Sequence, residues 1–287
     1  MSGDAPEIEN PELGLLMGPP APTKHAEGGS LPPEELDVFG KPPPPGTRDW
    51  SHRKGEPRML AFFWCMILLA ATLGTFWIAG RGGLISTESY RAAARGLLLV
   101  VTLGLAVIWP VIRLSQLRPI RESGVVVVLK DIAVLLVPVQ AIVWTQLFLA
   151  RWPVSALLAV TAAIGAWSLV AGGLVALAIG PSRDSAEPIS KPAAWTLLLG
   201  FLVLAAPVAS VFVGMQAGVM LQEGPNWLLA SSPVTVIHEL LRDRTGEGVA
   251  VRIEEQHWAA LAGTGALGLL MAHIAIVRAV AGRRQAA

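Results

Sequence analysis

Charged side chains are scarce in this chain. They make up 15% of its 287 residues, whereas a soluble globular protein carries about 25%. Hydrophobic residues make up 53%, and the mean hydropathy is +0.56. Because a charged group at the bilayer centre costs about 2.5–3.5 kcal/mol, this deficit is typical of helices that face lipid. The formal net charge of +1 also argues against binding to nucleic acid, which needs concentrated Lys and Arg.

Cysteine is nearly absent as well. Cys65 is the only one, which excludes an internal disulfide and a zinc site of the CxxC type. The sequence has no HExxH motif and no GxxxxGK[ST] loop, so it lacks the signatures of a membrane metalloprotease and of a nucleotide-binding P-loop. His273 is the only histidine well inside an apolar stretch, with no second one at matching depth for a bis-histidine haem. We therefore expect neither enzymatic activity nor a cofactor or metal.

Long apolar stretches dominate what is present. About 20 apolar residues span a bilayer as a helix, and six stretches of about that length or longer occur between residues 58 and 282. The predicted fold class is therefore all-α, a polytopic membrane protein with six transmembrane helices. The predicted spans are 59–79, 96–114, 131–150, 153–180, 193–221 and 257–281.

The start of the third span depends on one pair of charges. The apolar run that begins at Gly124 is interrupted by Lys130 and Asp131, and burying that pair in hydrocarbon is costly. We predict that the span begins at Asp131 and that the preceding residues lie at the cytoplasmic surface. The alternative is a longer, tilted helix from Gly124, with the Lys130 side chain reaching back to the interface.

Proline is concentrated near the N-terminus, where half of the 22 prolines precede Gly46. With acidic residues first and few apolar ones, residues 1–57 are predicted to form a disordered cytoplasmic tail and not a secretory signal, which begins with basic residues. Lys and Arg near the span ends favour a cytoplasmic location for both termini, including the basic C-terminal end 283–287.

The loop 222–256 is the longest between two predicted spans. Ser231 and Ser232 precede Pro233, a pattern that predicts a capped helix with proline in its first turn. Apolar residues after Pro233 share one helical face. We expect an outer helical segment that lies on the outer leaflet or dips into it.

Polar side chains inside the spans are candidates for a substrate pathway or for hydrogen bonds between helices. They are Gln140, Gln146, Gln216 and His273. Glycines are dense in the fourth and sixth spans, where they predict close helix packing. These glycines are Gly165, Gly172, Gly173, Gly263, Gly265 and Gly268.

The order of these parts resembles the ABC-2 family of transporter permeases over residues 53–284. Residues 118–130 occupy the position of that family's cytoplasmic coupling element, between spans two and three. Residues 165–177 resemble its fourth span, which is rich in small residues, and 231–235 resemble the start of its outer segment. Residues 258–284 resemble its last span, which ends in arginines.

This resemblance implies a permease subunit in the bacterial cytoplasmic (inner) membrane, paired with a second copy or a paralogue. A separate ATP-binding subunit would dock on the cytoplasmic face, and the substrate stays open. The candidate coupling residues are Arg118, Arg121, Glu122 and Lys130. The candidate residues of the outer gate helix are Pro233, His238 and Glu239.

The alternative is a non-transporting membrane scaffold or accessory subunit that recruits a soluble partner through its proline-rich tail. Scarce charge inside the spans favours it, because most ion and proton pathways contain Asp, Glu or Arg. Exporters of lipid-like substrates need no such residues, so the sequence leaves both functions open.

Overall fold

The computed structural model describes residues 57–81, 83, 86–115, 123–179, 190–217, 226–243 and 251–285. These residues form helices and no strands. Six helices are long and apolar enough to cross a membrane, which confirms the predicted fold class. The spans are Leu60–Gly80, Thr87–Ser115, Gly124–Leu149, Val154–Ile179, Ala193–Phe212 and Glu255–Ala281. The predicted N-terminal tail lies outside the described residues.

The helices follow one another through short connections on the described side of the chain. The first half contains α1 (Pro57–Gly80), α2 (Thr87–Leu103), a π-helical turn (Gly104–Ile108), α3 (Trp109–Ser115) and α4 (Gly124–Leu149). The second half contains α5 (Val154–Ile179), α6 (Ser190–Ala217), α7 (Trp227–Ala230), α8 (Val236–Leu240) and α9 (Glu255–Gln285). α2, the π-helical turn and α3 together make the second span.

Two spans begin earlier than predicted. α2 begins at Thr87 and not at residue 96, because Ser86 and Ser89 exchange side-chain-to-backbone hydrogen bonds that cap its N-terminus. The predicted start of the third span at Asp131 is wrong, since α4 begins at Gly124. Asp131 is fully buried and lies 2.8 Å from Arg113. The carboxylate therefore enters the bundle as half of an ion pair, while Lys130 remains exposed.

α5 lies at the centre of the bundle. Of its most apolar stretch 67% is buried, against 17% for α1 and α9 and 11% for α6. α5 packs against α4, α6, α8, the π-helical turn and, most extensively, α9. The outer helices therefore keep broad apolar faces exposed, as helices in contact with lipid do.

Close contact between α5 and α9 depends on two of the predicted glycines. A Cβ at Gly268 would lie 2.7 Å from Leu169 Cβ, and one at Gly173 would lie 2.7 Å from Met271 Cβ. Gly172 is equally crowded by α4. The packing prediction is confirmed at these three positions, whereas a Cβ at Gly165 or Gly263 would meet nothing within 4 Å.

The π-helical turn adjusts the second span just before a proline. In a regular helix the Pro110 ring would clash with the carbonyl of Ala106, four residues earlier, and the wider turn ends immediately before it. Trp64 of α1 covers Gly104 in this turn, where a Cβ would lie 2.6 Å from the indole. The Trp64 Nε1–H also donates to the Leu135 carbonyl at 3.0 Å, so this side chain ties α1 to the second and third spans.

Candidate functional site at the outer segment

Residues 226–243, called the outer segment below, form two short helices joined by a tight turn. Asn226 Oδ1 accepts hydrogen bonds from the Leu228 and Leu229 N–H groups at 3.0 and 3.3 Å, which caps α7. The Thr235 hydroxyl donates to the Leu229 carbonyl at 2.6 Å. The predicted helix is therefore shorter than expected: Pro233 is buried in the turn, and α8 begins at Val236.

The outer segment is docked into the bundle by its apolar side chains. Ile237, Leu240 and Leu241 are at most 1% exposed, and α8 packs against α2 and α5. His238 is exposed, as its position on the polar side predicts, but Glu239 is only 2% exposed. A buried carboxylate on a docked helix requires partners, and the surrounding helices supply them.

Ser232 lies deep beside α6. Its hydroxyl donates to the Val203 carbonyl at 2.7 Å and accepts from the Val234 N–H at 3.2 Å. In a regular helix the residue at position 207 would donate to that carbonyl, but Pro207 has no N–H. Val203 precedes the end of the span at Phe212 by nine residues, which is about 14 Å of helix. The outer segment is therefore re-entrant.

Glu239 and His257 form a buried pair between α8 and the first turn of α9. His257 Nε2 lies 3.5 Å from Glu239 Oε1, and the same oxygen accepts from the Asn226 N–H at 3.1 Å. His257 Nδ1 accepts from the Glu254 N–H at 3.0 Å. A ring nitrogen that accepts carries no proton, so this hydrogen bond assigns the proton of the neutral ring to Nε2, which faces the carboxylate.

These contacts lower the pKa of Glu239 below its ordinary value of 4.5. Burial alone raises the pKa of a carboxyl group. Here the hydrogen bonds from His257 and the Asn226 backbone, together with the positive charge of Arg242, outweigh burial. Glu239 is therefore ionised at neutral pH, and its charge holds α7, α8 and the start of α9 together.

Two arginines of α2 hold the end of the outer segment. Arg95 forms an ion pair with Asp243, and Arg91 Nη1 lies 4.0 Å from the same carboxylate. Arg91 Nε–H also donates to the Ala150 carbonyl at 2.8 Å, at the end of α4. The N-terminus of α2, the C-terminus of α4 and the outer segment therefore meet on one side of the bundle.

A second buried ion pair lies at the opposite ends of α2–α3 and α4. Arg113 Nε is 2.8 Å from Asp131 Oδ2, and the Trp109 Nε1–H donates to the same oxygen at 3.3 Å. Arg113 is 7% exposed and Asp131 is 0% exposed. This pair clamps α3 to α4 beside residues 116–122, the connection that carries most of the predicted coupling residues.

The polar residues predicted within the spans do not form one network. Gln146 is buried, and its side-chain amide donates to Ile142 in its own helix. Gln140 is half-buried and accepts from Trp144, one turn away. His273 is exposed on α9. The side chain of Gln216 lies outside the described residues.

Of the predicted coupling residues, Lys130 is exposed on α4, and Arg118, Arg121 and Glu122 lie outside the described residues. Sequence reasoning missed the residues that hold the two ends of the bundle. They are Arg91, Arg95, Arg113, Asp131, Asp243 and His257. A usable signal existed for one pair, since Arg113 and Asp131 carry opposite charges at the facing ends of consecutive spans.

Within the part of the chain that the structure describes, no three His, Cys, Asp or Glu side chains are grouped so that they could hold a metal ion. Comparison of the chain with protein-family models, with curated proteins and with solved structures finds no match. Its function is therefore inferred from its own residues.

Proposed function

We propose that this chain is the membrane-spanning subunit of an ATP-driven transporter of the ABC-2 type, in a bacterial inner membrane. A separate ATP-binding subunit would supply the energy, because the chain has no P-loop. The observation that carries the proposal is the re-entrant outer segment. It lies between the fifth and sixth spans, where the ABC-2 resemblance implies such a segment, and it enters the bundle.

The outer segment is attached to three spans by polar contacts that suit a gate. Ser232 binds α6, Glu239 binds α9 through His257, and Asp243 binds α2 through Arg95. Hydrogen bonds and ion pairs of this kind break and reform without unpacking the apolar core around α5. A rearrangement of these spans therefore moves the segment and opens or closes the outer side of the bundle.

The second and third spans connect this gate to the cytoplasmic face. The buried contact between Arg113 and Asp131 makes α3 and the start of α4 move as one unit. At their other ends, α2 carries Arg91 and Arg95, and α4 ends at Ala150. Displacement of residues 116–122 by an ATPase is thereby transmitted to the outer segment. The ATPase acts by favouring one of two arrangements of the spans.

The test is affinity purification of the tagged full chain from its native membranes in mild detergent, followed by mass spectrometry. We expect a protein with a GxxxxGK[ST] loop to co-purify. It should be lost from the variant that combines Arg118→Ser, Arg121→Ser and Glu122→Ser. The matched control combines Arg183→Ser and Lys191→Ser, which alter the other cytoplasmic connection, and it should retain the ATPase. Absence of any such ATPase, or its equal recovery with all variants, would contradict the proposal.

A further inference from the structure

We propose that the outward face of α9 binds a second copy of this chain. The residues of this face, called the α9 seam, alternate at spacings of four and three, which places them in one stripe along the helix and is the pattern of a left-handed helix pair. All six are exposed. They are Ala259, Gly263, Ala266, Leu270, His273 and Val277. The inference does not depend on the proposed transport function.

His273 is the residue of the seam that requires a partner. It precedes the end of the span at Ala281 by eight residues, about 12 Å of helix, so its ring lies within the apolar layer. It makes no hydrogen bond with any residue that the structure describes, and it faces away from the rest of the chain. A polar ring in hydrocarbon without a hydrogen bond is unfavourable, so a partner has to come from outside this chain.

A second copy meets that requirement better than lipid does. A neutral imidazole carries one N–H donor and one acceptor nitrogen, so two such rings can hydrogen-bond to each other. A two-fold axis places the same residue of both copies at the same point, and His273 lies on a seam that can be shared in this way. Acyl chains offer neither a donor nor an acceptor. One polar residue in an otherwise apolar seam also fixes the register of the two helices.

Small residues allow close approach along the other half of the seam. Ala259, Gly263 and Ala266 carry little or no side chain, which lets two membrane helices pack with their backbones near each other. A Cβ at Gly263 would meet nothing within 4 Å, so packing inside this chain does not require glycine there. Beside these residues, a groove of about 390 Å³ between α5 and α9 offers a concave apolar surface. It is lined by residues that include Gly165, Ala166, Leu169, Trp258, Ala262 and Gly265.

Cysteine cross-linking of the full chain in membranes tests the geometry. Cys65→Ser removes the only native cysteine. Single cysteines then replace Ala266 or His273 on the seam, and the controls replace their neighbours Leu267 or Ile274. The controls are also exposed, but they point about 100° away around the helix. A disulfide needs Cα atoms about 4.4–6.8 Å apart.

We expect covalent homodimers from Ala266→Cys and His273→Cys and far less from Leu267→Cys and Ile274→Cys. Equal cross-linking at seam and control positions, no cross-linking at the seam, or a product that joins this chain to a different protein would each overturn the proposal. Cross-linking of the unaltered chain through Cys65 on α1, with none at the seam, would overturn it too.

Subunit counting of the purified chain in lipid, as a function of dilution, tests the role of His273. His273→Leu should raise the dissociation constant of the dimer about three- to thirtyfold, the range given by hydrogen bonds between membrane helices. His273→Asn keeps a donor and an acceptor and should retain most of the affinity. A monomer at every dilution, or an unchanged dissociation constant in His273→Leu, would contradict the role of the imidazole.

Discussion

Glu239 carries a buried charge whose contribution to stability depends on pH. The pKa of its carboxyl group is lowered in the folded protein from the ordinary value of 4.5. A group with a lowered pKa stabilises the folded state fully at pH values above its unfolded pKa. That stabilisation is lost as the pH falls below about 4.5 and through the lower pKa of the folded protein. The outer segment should therefore loosen in acid and remain docked at neutral pH.

Replacing Glu239 with Gln tests this dependence. At pH 7 the variant should lose about 1.5–3 kcal/mol, the typical contribution of a hydrogen bond to a charged group, because the amide attracts Arg242 and the His257 Nε2–H less strongly. Below pH 4.5 the wild type and the variant should converge. Thermal unfolding in detergent across this range is the measurement. Glu255→Gln, which alters an exposed glutamate at the start of α9, should keep the wild-type acid dependence. Parallel curves for wild type and Glu239→Gln would contradict the assignment.

The pair formed by Arg113 and Asp131 should show the asymmetry of buried ion pairs. Asp131→Asn or Arg113→Met leaves the other member inside the bundle without its counter-charge, and we expect a loss of about 3–5 kcal/mol. The double replacement by Met removes both charges and should cost much less. Unfolding free energies of the three variants in mixed micelles form the test. Additive losses in the double variant would show that the two charges are not coupled.

At the scale of elements, the outer segment and α6 share one hydrogen bond that two substitutions can separate. Ser232→Ala leaves the buried Val203 carbonyl without a donor, at a cost of about 1–3 kcal/mol. Pro207→Ala supplies an N–H four residues after Val203, so α6 can satisfy the carbonyl itself. Ser232→Ala should therefore cost less in the Pro207→Ala background than in the wild type. The same cost in both backgrounds, measured as unfolding free energy, would refute the link.

The contact between α5 and α9 should be sensitive at one glycine and tolerant at another. Gly268→Ala places a methyl group 2.7 Å from the Val170 backbone nitrogen, and overpacking of this kind costs about 1–3 kcal/mol. Gly165→Ala adds the same methyl group to open space and should be neutral or slightly stabilising. Thermal unfolding of the two variants, compared with wild type, separates these cases.

The six spans could be predicted because their length and apolarity are local properties of the sequence. The start of α4 could not, because the cost of Asp131 depends on Arg113 in another helix. The outer segment was predicted from its cap and apolar face, but its depth depends on a carbonyl 29 residues earlier in α6. Helical periodicity placed Glu239 on the polar side. Only the arrival of His257 from α9 explains why that carboxylate is buried.

At the scale of the whole molecule, polar contacts hold the two ends of the bundle and apolar packing fills the middle. Arg113 and Asp131 clamp one end, and Arg95, Asp243, Glu239 and His257 hold the other. The second and third spans run between both sets. The account therefore makes one central claim: ATP hydrolysis on the cytoplasmic face moves the outer segment on the far side.

Chemical labelling of a single cysteine at position 238 tests this claim most directly. His238 is exposed on α8, and His238→Cys in the Cys65→Ser background reports on the outer segment. The measurement is its rate of reaction with a maleimide in opened native membranes, with and without MgATP, and Glu88→Cys at the exposed start of α2 is the control. The account predicts that MgATP changes the rate at position 238 and leaves position 88 unchanged. It also predicts no change when Arg118, Arg121 and Glu122 are replaced by Ser. A rate at position 238 that MgATP does not alter would contradict it.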